Sequence, residues 1–183
     1  GITGNFINSY TMIRKTQIVL DADVLIHFAK GNRLALLPSI LPEYEYVILS
    51  KVYDEIDSIR NQVNNQIHFL KNIRIIDFSS VSLEVIKEYA RLSSFFGKGE
   101  SACMAYCRYN NHVVGSNNTK DVTDYCESNG ITYLTTHDFL FLAYQHKLMT
   151  ADECREFMEV VTSKGSHGVP VIDITNYCFN KVI

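Results

Sequence analysis

The chain has 183 residues, 46% hydrophobic and 20% charged, which is enough for one globular domain with a sizeable core and leaves two independent domains small. A net charge of −3 argues against a protein that coats nucleic acid by charge alone, although acids that hold a divalent metal reverse the local sign of a site. No run reaches the roughly 18 apolar residues of a membrane span and no charged, apolar, small-residue leader is present, so the expectation is a cytoplasmic protein with no membrane partner.

Residues 1–15 are polar and without a clear period, and are read as an N-terminal arm or remnant ahead of a single domain over 16–183. From Gln17 onward, short apolar runs alternate with amphipathic segments. Strands are predicted near 17–21, 45–49, 73–77, 112–116 and 131–134. Helices are predicted near 23–30, 33–40, 50–71 with a break around Asn61 to Asn65, 81–95, 99–110, 119–129, 136–147 and 150–163. That order implies an α/β fold, a mainly parallel sheet of about five strands with helices on both faces. The five cysteines are odd in number and lie in helical or apolar contexts, which suits buried thiols in a reducing compartment better than disulfides.

Ile18, Val19 and Leu20 show no polar alternation, as suits a strand covered on both faces, and Asp21 follows at its carboxyl end. Ligand sites of open α/β sheets form at that end. Asp21 and Asp23 also suit capping of the next helix, and for Asp23 capping is the preferred reading. Ser50 is expected to cap the helix holding KVYDEIDSIR, where Val52, Glu55, Ile56 and Ile59 fall at i, i+3, i+4 and i+7. That phase turns Glu55 inward and leaves Asp54 and Asp57 to solvent.

In GKGESACMAYC, two glycines flanking Lys98 suit a tight turn, and Glu100 stands at the helix start where the dipole favours a negative charge. Ala102, Cys103, Tyr106 and Cys107 form that helix's buried face. After HVVGS come Ser116, Asn117, Asn118 and, three residues past Asn118, Asp121; a helix beginning at Asn118 puts these two side chains on one face. Asp138 reads as a first-turn charge. Lys51, Arg60, Lys71, Arg74 and Lys98 are the cations available for a local basic patch. His27, His137 and His167 fit no metal-ligand spacing, and no P-loop, dinucleotide fingerprint or nucleophile elbow is present.

Three stretches carry a family resemblance. The apolar strand followed by Asp21, a small residue, Asp23 and Val24-Leu25-Ile26 resembles the opening of a PIN domain, the nuclease-like fold named after the PilT N-terminus. Gly97-Lys98-Gly99-Glu100-Ser101 is similar to the start that carries the family's middle acid. Ser116-Asn117-Asn118 stands where the family commonly has Ser or Thr, one residue, then Asp, so Asn118 is a departure that Asp121 is expected to make good. The resemblance covers about residues 17–176 and implies a PIN-like three-layer α/β/α fold.

It also implies a metal-dependent ribonuclease that hydrolyses RNA phosphodiesters, as in bacterial toxins of toxin–antitoxin pairs. Asp21, Glu55, Glu100 and Asp121 are the expected catalytic acids, with Asp21, Glu100, Asp121 and Asn118 at Mg²⁺ or Mn²⁺ and Ser116, Asn117 and Lys98 toward substrate. Crowded carboxylates repel unless protonated, paired or holding a cation, and a hard oxygen site suits those two ions. The partners implied are RNA, an antitoxin protein and a second copy of the chain. Two other readings stay open: a degenerate module that binds RNA or protein without cleaving, and a structure-specific DNA nuclease of the flap type, for which no arch or helix-hairpin-helix insertion is evident.

Overall fold

The computed structural model describes residues 14–118 and 120–183; most of the expected arm over 1–15 lies outside the described residues, as does Thr119, where the sixth sequence helix was expected to begin. Five strands, β1 (Gln17–Leu20), β2 (Glu45–Leu49), β3 (Arg74–Ile76), β4 (Val113–Gly115) and β5 (Tyr133–Leu134), form one sheet in the order β3-β2-β1-β4-β5. Every pairing is parallel, with Ile18 opposite Tyr46 on one side and Val113 on the other. All four residues of β1 are buried, as its unbroken apolar run requires of a central strand.

Eight helices cover the sheet among the described residues: α1 (Ala22–Lys30), α2 (Ser50–Tyr53), α3 (Arg60–His68), α4 (Leu83–Leu92), α5 (Lys98–Asn110), α6 (Asp121–Ser128), α7 (Thr136–Gln145) and α8 (Ala151–Ser163). Helix α5 lies against β1, β2 and β4 and is flanked by α4 and α6. Its buried face includes Ala102, Cys103, Tyr106 and Cys107, and the small residues let it approach the sheet closely. Helices α1, α7 and α8 pack together through Phe28, whose ring lies 6.0 Å from that of Phe139 and 5.0 Å from that of Phe157. The result is a three-layer α/β/α fold.

Chain order places the site. The chain runs outward from β1 through β2 to β3, then returns to the other side of β1 for β4 and β5. The connections therefore diverge between β1 and β4, and the carboxyl ends of these two strands flank the crevice where such sheets bind ligands. Asp21 follows β1 there and Ser116 follows β4; the Asp21 N–H still donates to the Gly115 carbonyl at 2.8 Å.

The structure corrects several local expectations. The segment 33–40 is not a helix: the Arg33 carbonyl accepts from Leu36 and Leu37, and only a 3-10 turn forms over Leu37–Ser39, with Pro38 inside it. Its apolar spacing instead seats Leu34, Leu37, Ile40 and Leu41 in the core as a buried connection. The long helix expected over 50–71 breaks at Asp54 to Ile59, while Asn61 to Asn65 lie inside α3. The Arg60 side chain explains the break, since it donates to the carbonyls of Tyr53 and Ile56, both at 3.1 Å, and lies over the Tyr53 ring. Ser50 is not the cap but the first residue of α2, and its Oγ accepts from the Phe78 N–H. Cys178 is exposed, unlike the other four cysteines, and all five are free thiols.

Candidate functional site

Asp21 ends β1 and caps α1, so its carboxylate is fixed before any ligand arrives. Its Oδ1 accepts from the Ala22 N–H at 2.8 Å and its Oδ2 faces the Ser116 hydroxyl at 3.4 Å. The residue is 6% exposed. Burial, and then the charge of Asp23, push its carboxyl up to about 7. Capping and a place in the site were alternatives in the sequence; the geometry joins them in one side chain.

Asp23 is the acid that sequence reasoning left out. Its Oδ2 accepts from the Asn117 N–H at 3.0 Å and its Oδ1 from the Val24 N–H at 2.8 Å. Burial raises its carboxyl to about 6, with Glu100 adding to the rise. The Asp-Ala-Asp spacing was the available signal, but the reach of Asp23 to the end of β4 depends on the strand order.

Glu100 projects from the first turn of α5. Its Oε2 accepts from the Asn118 amide at 2.7 Å, while its Oε1 is buried without a hydrogen-bond partner among the described residues. Burial lifts its carboxyl to about 7 against the lowering effect of the Asn118 donor, and Asp21, Asp121 and Glu55 push the same way as burial. Among the described residues no Lys, Arg or His forms an ion pair with Asp21, Asp23 or Glu100.

Asn118 sits between two acids. Its amide nitrogen also donates to Asp121 Oδ2 at 3.3 Å, and its Oδ1 accepts from the Asp121 N–H at 3.2 Å. Asp121 thus begins α6 with its carboxylate against the Asn118 amide, but the helix starts at Asp121 and not at Asn118 as the shared face required, so the two meet through these hydrogen bonds ahead of the helix and not on one helix face. Ser116 is 1% exposed; its Oγ accepts from the Asn118 N–H and ties that turn to Asp21.

Glu55 reaches the cluster by a different route from the one expected. It lies in the turn after α2 and is exposed, not on an inward helix face. Its Oε1 accepts from the Gly99 N–H at 2.9 Å, so it caps the start of α5 beside Glu100. A Cβ at position 99 would stand 2.4 Å from Glu55 Oε2, so glycine there lets this exposed carboxylate close on the helix start and a larger residue would displace it. Gly97 needs no such allowance: its φ of −60° is open to any residue, and the tight turn expected there is an ordinary helix start.

Of the residues expected toward substrate, Lys98 is exposed at the start of α5. Asn117 is committed to the protein, since its Oδ1 accepts from the Thr136 N–H at 3.1 Å and its Nδ2 donates to the Gly168 carbonyl at 2.7 Å. Thr136 in turn holds the buried His27, whose ring burial lowers to a pKa of about 4. Asp54 and Asp57 are exposed, as read from the sequence. Of the other cations, Arg74 pairs with Glu45, Lys51 lies over Tyr89, Arg60 serves the turn already described and Lys71 is exposed.

A family model described as a PIN domain matches residues 17–170, five-sixths of the chain and every strand and helix of the sheet layers. The chain belongs to the PIN domain family. No curated protein matches it closely enough to count. PIN domains are generally nucleases and typically use divalent metal ions, and the residues of this PIN domain suit such an ion by their chemistry. The donors are hard oxygens, and among the described residues no side-chain cation pairs with them and nothing donates to the buried Glu100 Oε1. Among the described residues no three acids, imidazoles or thiols close around a single point. One or two carboxylates with water completing the shell is the ordinary arrangement for Mg²⁺. Among the described residues no helix is long and apolar enough to cross a membrane.

Proposed function

We propose that this PIN domain is a metal-dependent ribonuclease, with Asp21 and Glu100 holding Mg²⁺ or Mn²⁺ and Asp121 and Asn118 completing that side of the site. The observation that carries the reading is a set of acids at the β1–β4 crevice held at raised pKa, with no cation paired to them and one buried oxygen unpartnered among the described residues. A divalent ion bound there would polarise a phosphoryl oxygen and acidify water for in-line displacement.

The chain's own part is positioning. Asp21 is fixed by the Ala22 N–H and Ser116, and Asp23 is held by the Asn117 N–H with a raised pKa that suits it to take a proton near neutrality. Glu55 fixes the start of α5 and so the position of Glu100. Exposed Lys98 beside Glu100 is the cation available to a substrate phosphate. RNA as substrate, an antitoxin partner and a homodimer come to this chain from the resemblance.

The amide of Asn118 supports a second reading. Its donor group occupies the space between Glu100 and Asp121 where the family's acid would add charge, as in a module that binds without cleaving. Cleavage of mixed RNA with Mn²⁺ or Mg²⁺, comparing wild type with Asp21→Asn, decides between them. The nuclease reading expects metal-dependent cleavage that falls by about a hundredfold or more in the variant, since Asn keeps the volume but loses the charge. No cleavage by wild type with either ion, or equal cleavage by the variant, contradicts it.

A further inference from the structure

Asp121 has a second neighbourhood. Beyond the acid cluster, a groove of about 520 Å³ runs between the end of α4 and α6, lined by Arg91, Phe95, Phe96, Lys120, Asp121 and Tyr125 among others. Asp121 lines this groove and also faces Asn118, so the groove opens directly beside the candidate site.

Two chemistries meet in it. Phe95 is 73% exposed and tilted by 57° against Phe96, with ring centroids 6.4 Å apart. A ring so exposed gains little from burial, while its face is free to meet a flat partner. Around the rings stand cations. Arg91 lines the groove and shares the single carboxylate of Glu88 with Arg108, which lies outside the lining, so Glu88 answers two guanidiniums with one charge. Lys120 is exposed and, among the described residues, pairs with no carboxylate. Asp124 also lines the groove and opposes an anion laid along α6, which leaves the Arg91 and Lys120 rim as the path for one.

Aromatic faces beside cations are the arrangement that takes single-stranded nucleic acid: bases stack on the rings and phosphates follow the positive groups. A duplex hides its base faces within its own stack and cannot use such a ring. We propose that this groove is a base-stacking subsite that takes an unpaired RNA nucleotide flanking the bond to be cut, its base on Phe95 and its phosphate between Arg91 and Lys120. The assignment rests on the ribonuclease reading for the identity of the strand, and it adds where that strand leaves the acid cluster.

Tryptophan is absent from the sequence, so Phe95→Trp installs a single indole emitter in the groove. The test is made in the full chain carrying Asp21→Asn, to suppress cleavage, with a short fluorescein-labelled RNA offered single-stranded and as a duplex. Phe95→Ala is expected to weaken single-strand binding about tenfold, within the range for loss of one base stack. Phe95→Trp should retain affinity and show emission quenched by the single strand more than by the duplex. Leu83→Ala, an exposed apolar change at the opposite end of α4, should leave binding unchanged.

Equal affinities for Phe95→Ala and its parent, no quenching by RNA, or equal quenching by duplex each overturns the subsite, as does a wild-type chain that binds no RNA. The two readings fail separately. Dependence on Phe95 without cleavage under any metal keeps the groove and removes the nuclease. Cleavage with no dependence on Phe95 does the reverse.

Discussion

Glu88 and Glu100 stand on adjacent helices of one layer, and the protein treats them in opposite ways. Glu88 is 6% exposed and fully engaged: it accepts from Arg91, from Arg108 and from the Tyr125 hydroxyl at 2.9 Å, and the Arg91 guanidinium holds its carboxyl below the usual range. Asp138, 1% exposed, is similarly answered by the Thr135 N–H, the Tyr177 hydroxyl and Lys181. Glu100 has an amide on one oxygen and, among the described residues, nothing on the other, and its carboxyl is pushed up to about 7 by burial. Cations are not lacking nearby, for Lys98 lies two residues before Glu100 and is turned to solvent. Among the described residues the fold therefore supplies counter-charges to Glu88 and Asp138 and none to the acids of the β1–β4 crevice, as the proposed cation site requires.

The sharpest way to break that comparison is to neutralise each glutamate in turn. Glu88→Gln should lower unfolding free energy by about 2 kcal/mol, because it removes a buried charge from two guanidiniums and a hydroxyl. Glu100→Gln should leave stability at pH 8 unchanged or raised, since it relieves repulsion and keeps the shape. Equal destabilisation in urea titrations would mean that both acids are structural.

A smaller effect is expected from Asn118→Asp. It replaces the donor between Glu100 and Asp121 with a third carboxylate, so the metal-free protein should lose stability while metal-dependent cleavage of RNA rises about tenfold. An unchanged cleavage rate would limit Asn118 to its hydrogen bonds with Ser116, Glu100 and Asp121.

The smallest effect is the pH dependence without metal, because two sets of groups oppose each other. The carboxyls of Asp21, Asp23 and Glu100 are raised to about 7, 6 and 7, so the folded chain holds more protons than the unfolded one above pH 4. Their contribution is complete below the unfolded values and is lost as pH rises through the folded ones. His27, lowered to about 4, contributes fully above its ordinary 6.5 and loses that contribution as pH falls. The two offset between pH 4 and 6.5, and above that the carboxylates act alone. Melting temperature should fall from pH 6.5 to 8, and less so in Asp21→Asn; a flat wild-type profile over that interval would count against the raised acids.

The sheet was legible because each strand is an apolar run with no competing pattern, and the three acid-bearing turns were legible because each follows a strand or opens a helix. What was not legible depended on long-range partners. Arg60 ends α2 by taking up carbonyls of a turn, which apolar spacing does not report, so Glu55 was given the wrong local structure though the right neighbourhood. Asp23 looked like a cap because its partner, the Asn117 N–H, is brought to it only by the β1–β4 pairing. Asn117 looked available to substrate because nothing local shows that Thr136 and Gly168 occupy its amide.

Mn²⁺ titration by calorimetry, on wild type, Asp21→Asn, Glu100→Gln and the surface control Asp54→Asn, tests most directly whether the unpaired acids are a cation site. Wild type and Asp54→Asn are expected to bind with the same affinity, and Asp21→Asn and Glu100→Gln each about tenfold or more weakly, since each removes one coordinating charge. Equal affinity across all four proteins, or no binding by wild type, would contradict it.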